Sequence, residues 1–378
     1  MDYKKELHSV IKEYFNPDKV LDVVPYGGGL INTTFLVKFE DISYILQKIN
    51  EYVFPSPVGV MHNIDLITGF IRKKVIYEGK NYRTSTLTVI STKFGESYAI
   101  VDDEYWRCYT CIEGVTYEST EDPAIFYEAG KAIGDFQKLL EGFHTRLLND
   151  NIKNFHNTPY RYKYFCDVVK LNPVSRVDEC SAEIEFVNSR SHYMGLITSA
   201  LDDKKIPRRV VHNDTKLNNI MFDKEGKHAM CLLDLDTVMK GSLAYDYGDA
   251  LRLGASTAAE DEVDLSKVSI NLKLFESFTR GFLESLKGII TSEEIDLLLV
   301  GYKNITLELG MRFLTDYLNG DRYFALTKEQ KELRPKLNLE RAKNQFQLVK
   351  EIEKNYTILV SILNSILLEL EYNKIEKL

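Results

Sequence analysis

The sequence predicts an α+β chain of two unequal lobes, a small antiparallel-sheet lobe followed by a larger, mainly helical one. Three observations lead there. Short apolar runs at 21–25, 31–37, 44–50, 86–92, 98–101 and 105–112 alternate with glycine-rich or acidic turns, the pattern of strands joined by hairpins. After Asp122-Pro123 the apolar residues recur at helical spacing through Phe126, Ala129, Ile133, Phe136 and Leu140, and most of the chain from Leu265 onward keeps that period. One strand–loop–strand segment, Val210 to Phe222, interrupts the helical part. The lobes are placed at residues 1–113 and 114–378.

In order, a helix is expected over 3–15, with Leu7, Val10, Ile11, Tyr14 and Phe15 on one face and Asn16-Pro17 as its stop. The next two strands flank Gly27, Gly28 and Gly29, followed by Asn32 and Thr33. Successive glycines permit positive φ and leave backbone amides free to meet phosphate oxygens, although the same residues also build ordinary hairpin turns. The third strand ends Leu46-Gln47-Lys48-Ile49-Asn50. Gln47 falls where a phosphate-gripping lysine belongs, and the candidate Lys48 points to the other face unless a bulge intervenes.

A helix over 65–77 and three strands at 86–92, 98–101 and 105–112 complete the small lobe. Ile112-Glu113-Gly114 reads either as a hinge whose backbone meets a nucleotide base or as a simple strand end. His156 reads as a hydrogen-bonded structural histidine. Asp246 and Asp249 open a helix together with Arg252, and a buried aspartate there would hold the preceding loop, which makes Asp246 structural. A polar cluster from Met311 to Phe324 is expected to break the C-terminal helices.

The chemistry concentrates in His212-Asn213-Asp214-Thr215-Lys216-Leu217-Asn218-Asn219, followed by Cys231-Leu232-Leu233-Asp234-Leu235-Asp236. His-x-Asp-x-x-x-x-Asn is the register of a kinase catalytic loop, and the next apolar strand delivers a carboxylate where the metal-binding aspartate sits. Phosphoryl transfer asks a protein mainly to position a hydroxyl and neutralise charge. Asp214 is the candidate general base, and Lys216 would lie along the γ-phosphate. Asn219 and Asp234 offer the hard oxygens Mg2+ prefers, and Asp236, at strand spacing from Asp234, can face the same side. The alternative is a polar hairpin whose Asn, Asp and Lys only serve turns.

Composition sets the outer bounds. The 378 residues suffice for a large core, and 44% hydrophobic with 28% charged residues describes an ordinary globular chain. A net charge of −8 argues against a nucleic-acid partner. The N-terminal residues lack a signal-type apolar core, and no run reaches the roughly 18 apolar residues of a membrane span, so a cytoplasmic protein without membrane association is expected. Cys108, Cys111, Cys166, Cys180 and Cys231 are scattered and read as free thiols.

These motifs resemble those of the N-acetylhexosamine 1-kinases, within the aminoglycoside phosphotransferase-like superfamily. The wider likeness rests on His212, Asp214, Asn219 and Asp234. The narrower one rests on Leu233-Asp234-Leu235-Asp236-Thr237-Val238-Met239, Tyr245-Asp246-Tyr247-Gly248-Asp249, Arg312-Phe313-Leu314-Thr315-Asp316-Tyr317, Leu46-Gln47-Lys48-Ile49-Asn50 and Phe155-His156-Asn157-Thr158-Pro159. The resemblance implies a bilobal protein kinase-like fold, ATP and Mg2+ as cofactors and a small-molecule sugar as partner, phosphorylated at its anomeric hydroxyl. It implies that the sugar meets Asp214 and the residues matching Thr237, Arg312 and Tyr323, while Asp249 is a further polar partner for its hydroxyls. Lys240 departs from the family's proline, which leaves the choice of sugar open. A kinase of another small alcohol, such as choline, homoserine or an aminoglycoside, is the alternative within the fold, and an inactive nucleotide-binding scaffold the alternative outside the class.

Overall fold

The computed structural model of the chain describes residues 2–27 and 31–372. It divides into two compact units, Met1–Thr116 with Leu139–Ile152 and Asn219–Met239, and Tyr117–Lys138 with Lys153–Asn218 and Lys240–Leu378.

The first unit is built on an antiparallel sheet of β1 (Asp22–Pro25), β2 (Thr33–Lys38), β3 (Ser43–Lys48), β4 (Tyr98–Val101) and β5 (Glu104–Thr110), in the order β1-β2-β3-β5-β4. Alternation along the strands makes the sheet two-faced. Val23, Phe35, Val37, Leu46, Trp106 and Cys108 are buried with Leu7, Val10, Ile11 and Tyr14 in one cluster. Residues of the opposite parity, Thr34, Gln47 and Arg107, stand side by side in register on the other face. The helix expected over 3–15 is two, Tyr3–Glu6 and His8–Tyr14, and Leu7 at their joint is buried in the same cluster.

Two further boundaries differ from the sequence reading. The 57–77 helix begins at Pro57, where Ser56 accepts a hydrogen bond from the Gly59 amide at 3.3 Å, a Ser-Pro start that the periodicity count from Asp65 passes over. Residues 86–92 form no strand. β4 takes the edge of β5 from Glu104 to Arg107, so the incoming segment bridges only through Val89 to Tyr109.

The same unit contains the hairpin of β7 (Ile220–Phe222) and β8 (Ala229–Leu232), which pair antiparallel with a register shift at Met221/Phe222. Phe222 and Val115 exchange backbone hydrogen bonds of 3.1 and 2.9 Å. That approach requires glycine beside it, because a Cβ on Gly114 would lie 2.0 Å from the Phe222 carbonyl oxygen.

In the second unit β6 (Arg209–Val211) leads into the motif loop, and the Leu298–Leu318 helix forms the axis. That helix is buried almost all round, as its apolar sequence demands, and packs on the helices Leu243–Gly254, Thr158–Leu171 and Leu337–Lys354. Its crossing with Leu243–Gly254 is backbone to backbone. A Cβ on Gly248 would meet the Gly301 carbonyl oxygen at 2.5 Å, and one on Gly301 would meet that of Ala244 at 2.2 Å.

The break expected over 311–324 comes late in the cluster, after Leu318. Thr315 returns its hydroxyl hydrogen to the Met311 carbonyl at 2.6 Å, and Asp316 accepts from the amides of Arg322, Tyr323 and Phe324 at 3.0, 2.8 and 2.7 Å, so the helix continues to Leu318 and its polar residues organise the turn that follows. Among the described residues no helix is long and apolar enough to cross a membrane.

Candidate active site

The motif loop hangs from β6 in the second unit. Val210 and Val211 are buried, as is His212, whose ring sits edge-on to Phe136. Asp246, fully buried at the start of the Leu243–Gly254 helix, holds the loop backbone. One of its oxygens accepts from the Asn213 amide at 2.8 Å, and the other accepts from the His212 amide at 2.9 Å and the Gln137 side chain at 3.0 Å. Burial pushes the Asp246 carboxyl above its ordinary value, against the pull of His212 and the two amides. Asn213 takes the left-handed conformation at φ 66, one that Asn tolerates better than other side chains, and so reverses the chain into Asp214.

One helical turn on, Asp249 accepts the Thr215 amide at 2.9 Å and the Arg252 guanidinium at 3.0 Å. It is therefore engaged beneath the loop, beside Asp246. Asp214 stands partly exposed with Lys216 Nζ 3.0 Å from its carboxylate, which brings the expected base and the expected phosphate-side cation together. Asn218 donates to Glu118 at 2.8 Å.

The metal-type residues lie in the first unit. Asn219 and Asp234 flank the β7–β8 hairpin, and the Leu233 amide donates to the Asn219 carbonyl at 2.8 Å. Asp234 is left-handed, φ 50 and ψ 61, and Leu235–Thr237 coil into one 3-10 turn. The strand spacing expected to carry Asp236 alongside Asp234 is thus absent, because a residue at positive φ ends the period of two. Asp236 is instead buried, paired through both oxygens with Arg107, and accepts from Asn32 at 2.7 Å. Thr237 is half-buried in the same turn.

No bulge intervenes in β3. Thr33 pairs with Lys48 and Thr34 with Gln47, and the Lys48 ammonium lies 2.8 Å from Glu104. Gln47 bridges Thr34 at 2.9 Å and accepts from Arg107 Nε at 3.1 Å. Thr33 and Lys48 line a polar cavity with Ile31, Asn50 and Glu104. Gly27 has φ 75, while Gly28 and Gly29 lie outside the described residues. Glu113 is exposed and ion-paired with Lys224. The sequence reading passed over Arg107. Its one signal was a charged residue inside the otherwise apolar run Tyr105-Trp106-Arg107-Cys108-Tyr109.

A second polar group occupies the second unit. Arg312 donates to the Tyr323 hydroxyl at 3.3 Å, and its guanidinium lies 5.2 Å from the Phe155 ring centre and 5.6 Å from that of Phe324. Burial, together with neighbouring Arg312, lowers the affinity of Arg161 for its proton. His156 is buried as expected, with Nδ1 2.9 Å from Glu308, and its ring lies 5.1 Å from that of Tyr245 on the Asp246 helix. Thr158 donates to the other Glu308 oxygen at 2.6 Å.

Burial raises the Glu308 carboxyl, but His156, Arg312 and Thr158 outweigh it and hold it below the ordinary value. A depressed carboxyl contributes stability above its unfolded value, about 4.3, and loses it as pH falls through the lower folded value. Thermal unfolding followed from pH 6 to pH 3 is therefore expected to show an acid-side fall in wild type that is shallower in Glu308→Gln; identical slopes would refute this.

Residues 22–270 match the phosphotransferase enzyme family, and the chain belongs to it. Solved structures share the fold across nearly the whole chain. An aminoglycoside phosphotransferase from Alicyclobacillus acidocaldarius superposes with a TM-score of 0.60 at 11% identity, covering 96% of each chain. Choline kinase from Cryptosporidium parvum superposes with a TM-score of 0.57 at 11% identity, covering 97% of this chain and 99% of that one. A spectinomycin phosphotransferase in complex with ADP and spectinomycin gives 0.51 at 12% identity, covering 91% and 98%. At these identities the likeness is one of fold. The chain is an enzyme that transfers phosphate to an alcohol.

Proposed function

We propose that the enzyme transfers the γ-phosphate of ATP to the anomeric hydroxyl of an N-acetylhexosamine, N-acetylglucosamine or N-acetylgalactosamine, giving the sugar 1-phosphate. The observation that carries the choice of acceptor is the pair of arginines, Arg312 among Phe155, Tyr323 and Phe324 with Arg161 beside it. Choline, ethanolamine and aminoglycosides are cations, and they call for an acidic or open aromatic cage. Here the aromatic rings already surround a guanidinium. A neutral sugar rich in hydroxyls and carrying an amide carbonyl offers acceptors to arginine and tyrosine instead.

In this reading Asp214 accepts the proton of the anomeric hydroxyl, which is more acidic than an ordinary alcohol and suits a carboxylate base. Lys216, held at 3.0 Å from Asp214, neutralises charge on the transferring group. Arg312, Tyr323 and Thr237 orient the sugar, and Asp249 steadies the loop from below. On the donor side Gly27 to Gly29, Asn32 and Thr33 are assigned to the phosphates, Lys48 to the polar cavity it lines, and the Glu113 segment to the base. The donor assignments fall within 1–113 and the acceptor assignments within 114–378.

Among the described residues no group of three or more His, Cys, Asp or Glu side chains gathers as a metal cage. One amide and one carboxylate, Asn219 and Asp234, fit Mg2+, which is usually held by one or two carboxylates together with substrate phosphates and water. When bound, the ion would offset charge on the phosphates. Asp236, with both oxygens engaged, is left an anchoring role.

The test is a panel of acceptors with purified protein, ATP and Mg2+, read by phosphorus NMR. The expected product is an anomeric phosphate from an N-acetylhexosamine, with no turnover of choline, ethanolamine, homoserine or aminoglycosides. Turnover confined to a cationic alcohol would overturn the proposal. Nucleotide binding without product from any acceptor would make the chain a scaffold.

A further inference from the structure

The sheet face that carries Thr34, Gln47 and Arg107 has a glutamine where a kinase-like fold keeps its phosphate-side lysine, and the neighbouring Lys48 is drawn to Glu104. A positive charge nevertheless reaches that face, from the next strand. Arg107 pairs in register with Gln47 and is 1% exposed. Its Nε donates to Gln47, and its two terminal nitrogens grip the two oxygens of Asp236, Nη2 at 2.9 Å. The planar guanidinium makes this fork possible, which the single ammonium of a lysine does not. Burial opposes the charge on Arg107, and Asp236 and, more weakly, Asp234 restore it.

The ion pair is tied at both ends to donor-side elements. Asp236 lies in the turn that begins at the left-handed Asp234 and also accepts from Asn32 at 2.7 Å. Asn32 in turn accepts the Asn50 amide at 3.0 Å. Buried ion pairs are often no more stabilising than well-packed apolar residues of the same volume. What this one supplies beyond stability is alignment of two segments on one fixed cation.

We infer that Arg107 replaces the third-strand lysine as a positioning residue: acting through Asp236, it fixes the turn that presents Asp234 and holds Asn32 to it. The inference rests on ATP as donor. Its test compares wild type with Arg107→Met, Arg107→Met/Gln47→Lys and Arg107→Lys by calorimetric titration with ADP and Mg2+, by KM and kcat, and by thermal unfolding.

Arg107→Met is expected to bind ADP at least about tenfold more weakly and to lose about 10²-fold in kcat/KM for ATP, the scale of a small misplacement, with the acceptor KM unmoved. Adding Gln47→Lys is expected to recover roughly tenfold of both. Wild-type affinity and turnover in a folded Arg107→Met overturn the inference. So does a double variant that regains thermal stability without regaining nucleotide affinity. If Arg107→Met does not fold, Arg107→Lys decides: about tenfold weaker binding supports the inference, and wild-type affinity overturns it. Failure of the wild type to bind ADP overturns the donor reading and the inference with it, whereas normal wild-type binding beside an unaffected variant overturns the inference alone.

Discussion

Asp214→Asn is expected to lower kcat by about 10²–10⁴-fold, the contribution of a positioned general base, while ADP binding stays within about twofold of wild type. The side chain is partly exposed and has Lys216 at 3.0 Å, so an isosteric amide preserves the size of the group while removing its charge, and with it both the ability to take a proton and the ion pair with Lys216. The loop around it is held by Asp246 and Asp249 through backbone amides at His212, Asn213 and Thr215, none of which the substitution touches. Single-turnover phosphate transfer combined with calorimetry separates the two quantities. Near-normal turnover would remove Asp214 from the role of base, and equal loss of turnover and nucleotide affinity would mark a collapsed site.

Asp246→Ala is expected to cost about 3–5 kcal/mol of folding stability, the scale for removing one member of a buried charged network. It leaves the His212 and Asn213 amides and the Gln137 side chain without the carboxylate they share, in a fully buried position. Each orphaned donor is worth about 1–3 kcal/mol. Because the same amides set the direction of Asp214, a further loss of about 10²-fold in kcat is expected in whatever fraction folds. Denaturant unfolding and active-site titration give the two effects independently. A variant with wild-type unfolding midpoint and turnover would show that the helix only neighbours the loop.

The segments that could be read from sequence are those whose signals are contiguous. The loop from His212 to Asn219, the hairpin after it and Asp234 occupy one short stretch, and their spacing is fixed in the sequence. The roles of Asp246 and His156 followed from burial logic and hold in the structure. Four features escaped for identifiable reasons. Asp236 turned away because the left-handed Asp234 breaks the strand period, and an aspartate gives little warning of positive φ. Arg107 meets Asp236 across a sequence separation that no local pattern spans. The 86–92 run has strand composition but loses most of its partner edge to β4, a competition settled only when the sheet assembles. The break expected over 311–324 begins only after Leu318, because Thr315 and Asp316 are buried and spend their polar atoms on the helix and on the turn that follows it.

The contact between Gly248 and Gly301 bears on how the site tolerates change elsewhere. The helix that supports the loop rests on its neighbour through main-chain atoms, so no side-chain rotamer lies in the joint to drift or repack. Its height is set by the bulk of a peptide unit, a dimension that substitution at other positions leaves alone. If Asp214 is the base, variation elsewhere in the surrounding apolar cluster is expected to shift the melting temperature more than it shifts the loop that carries Asp214.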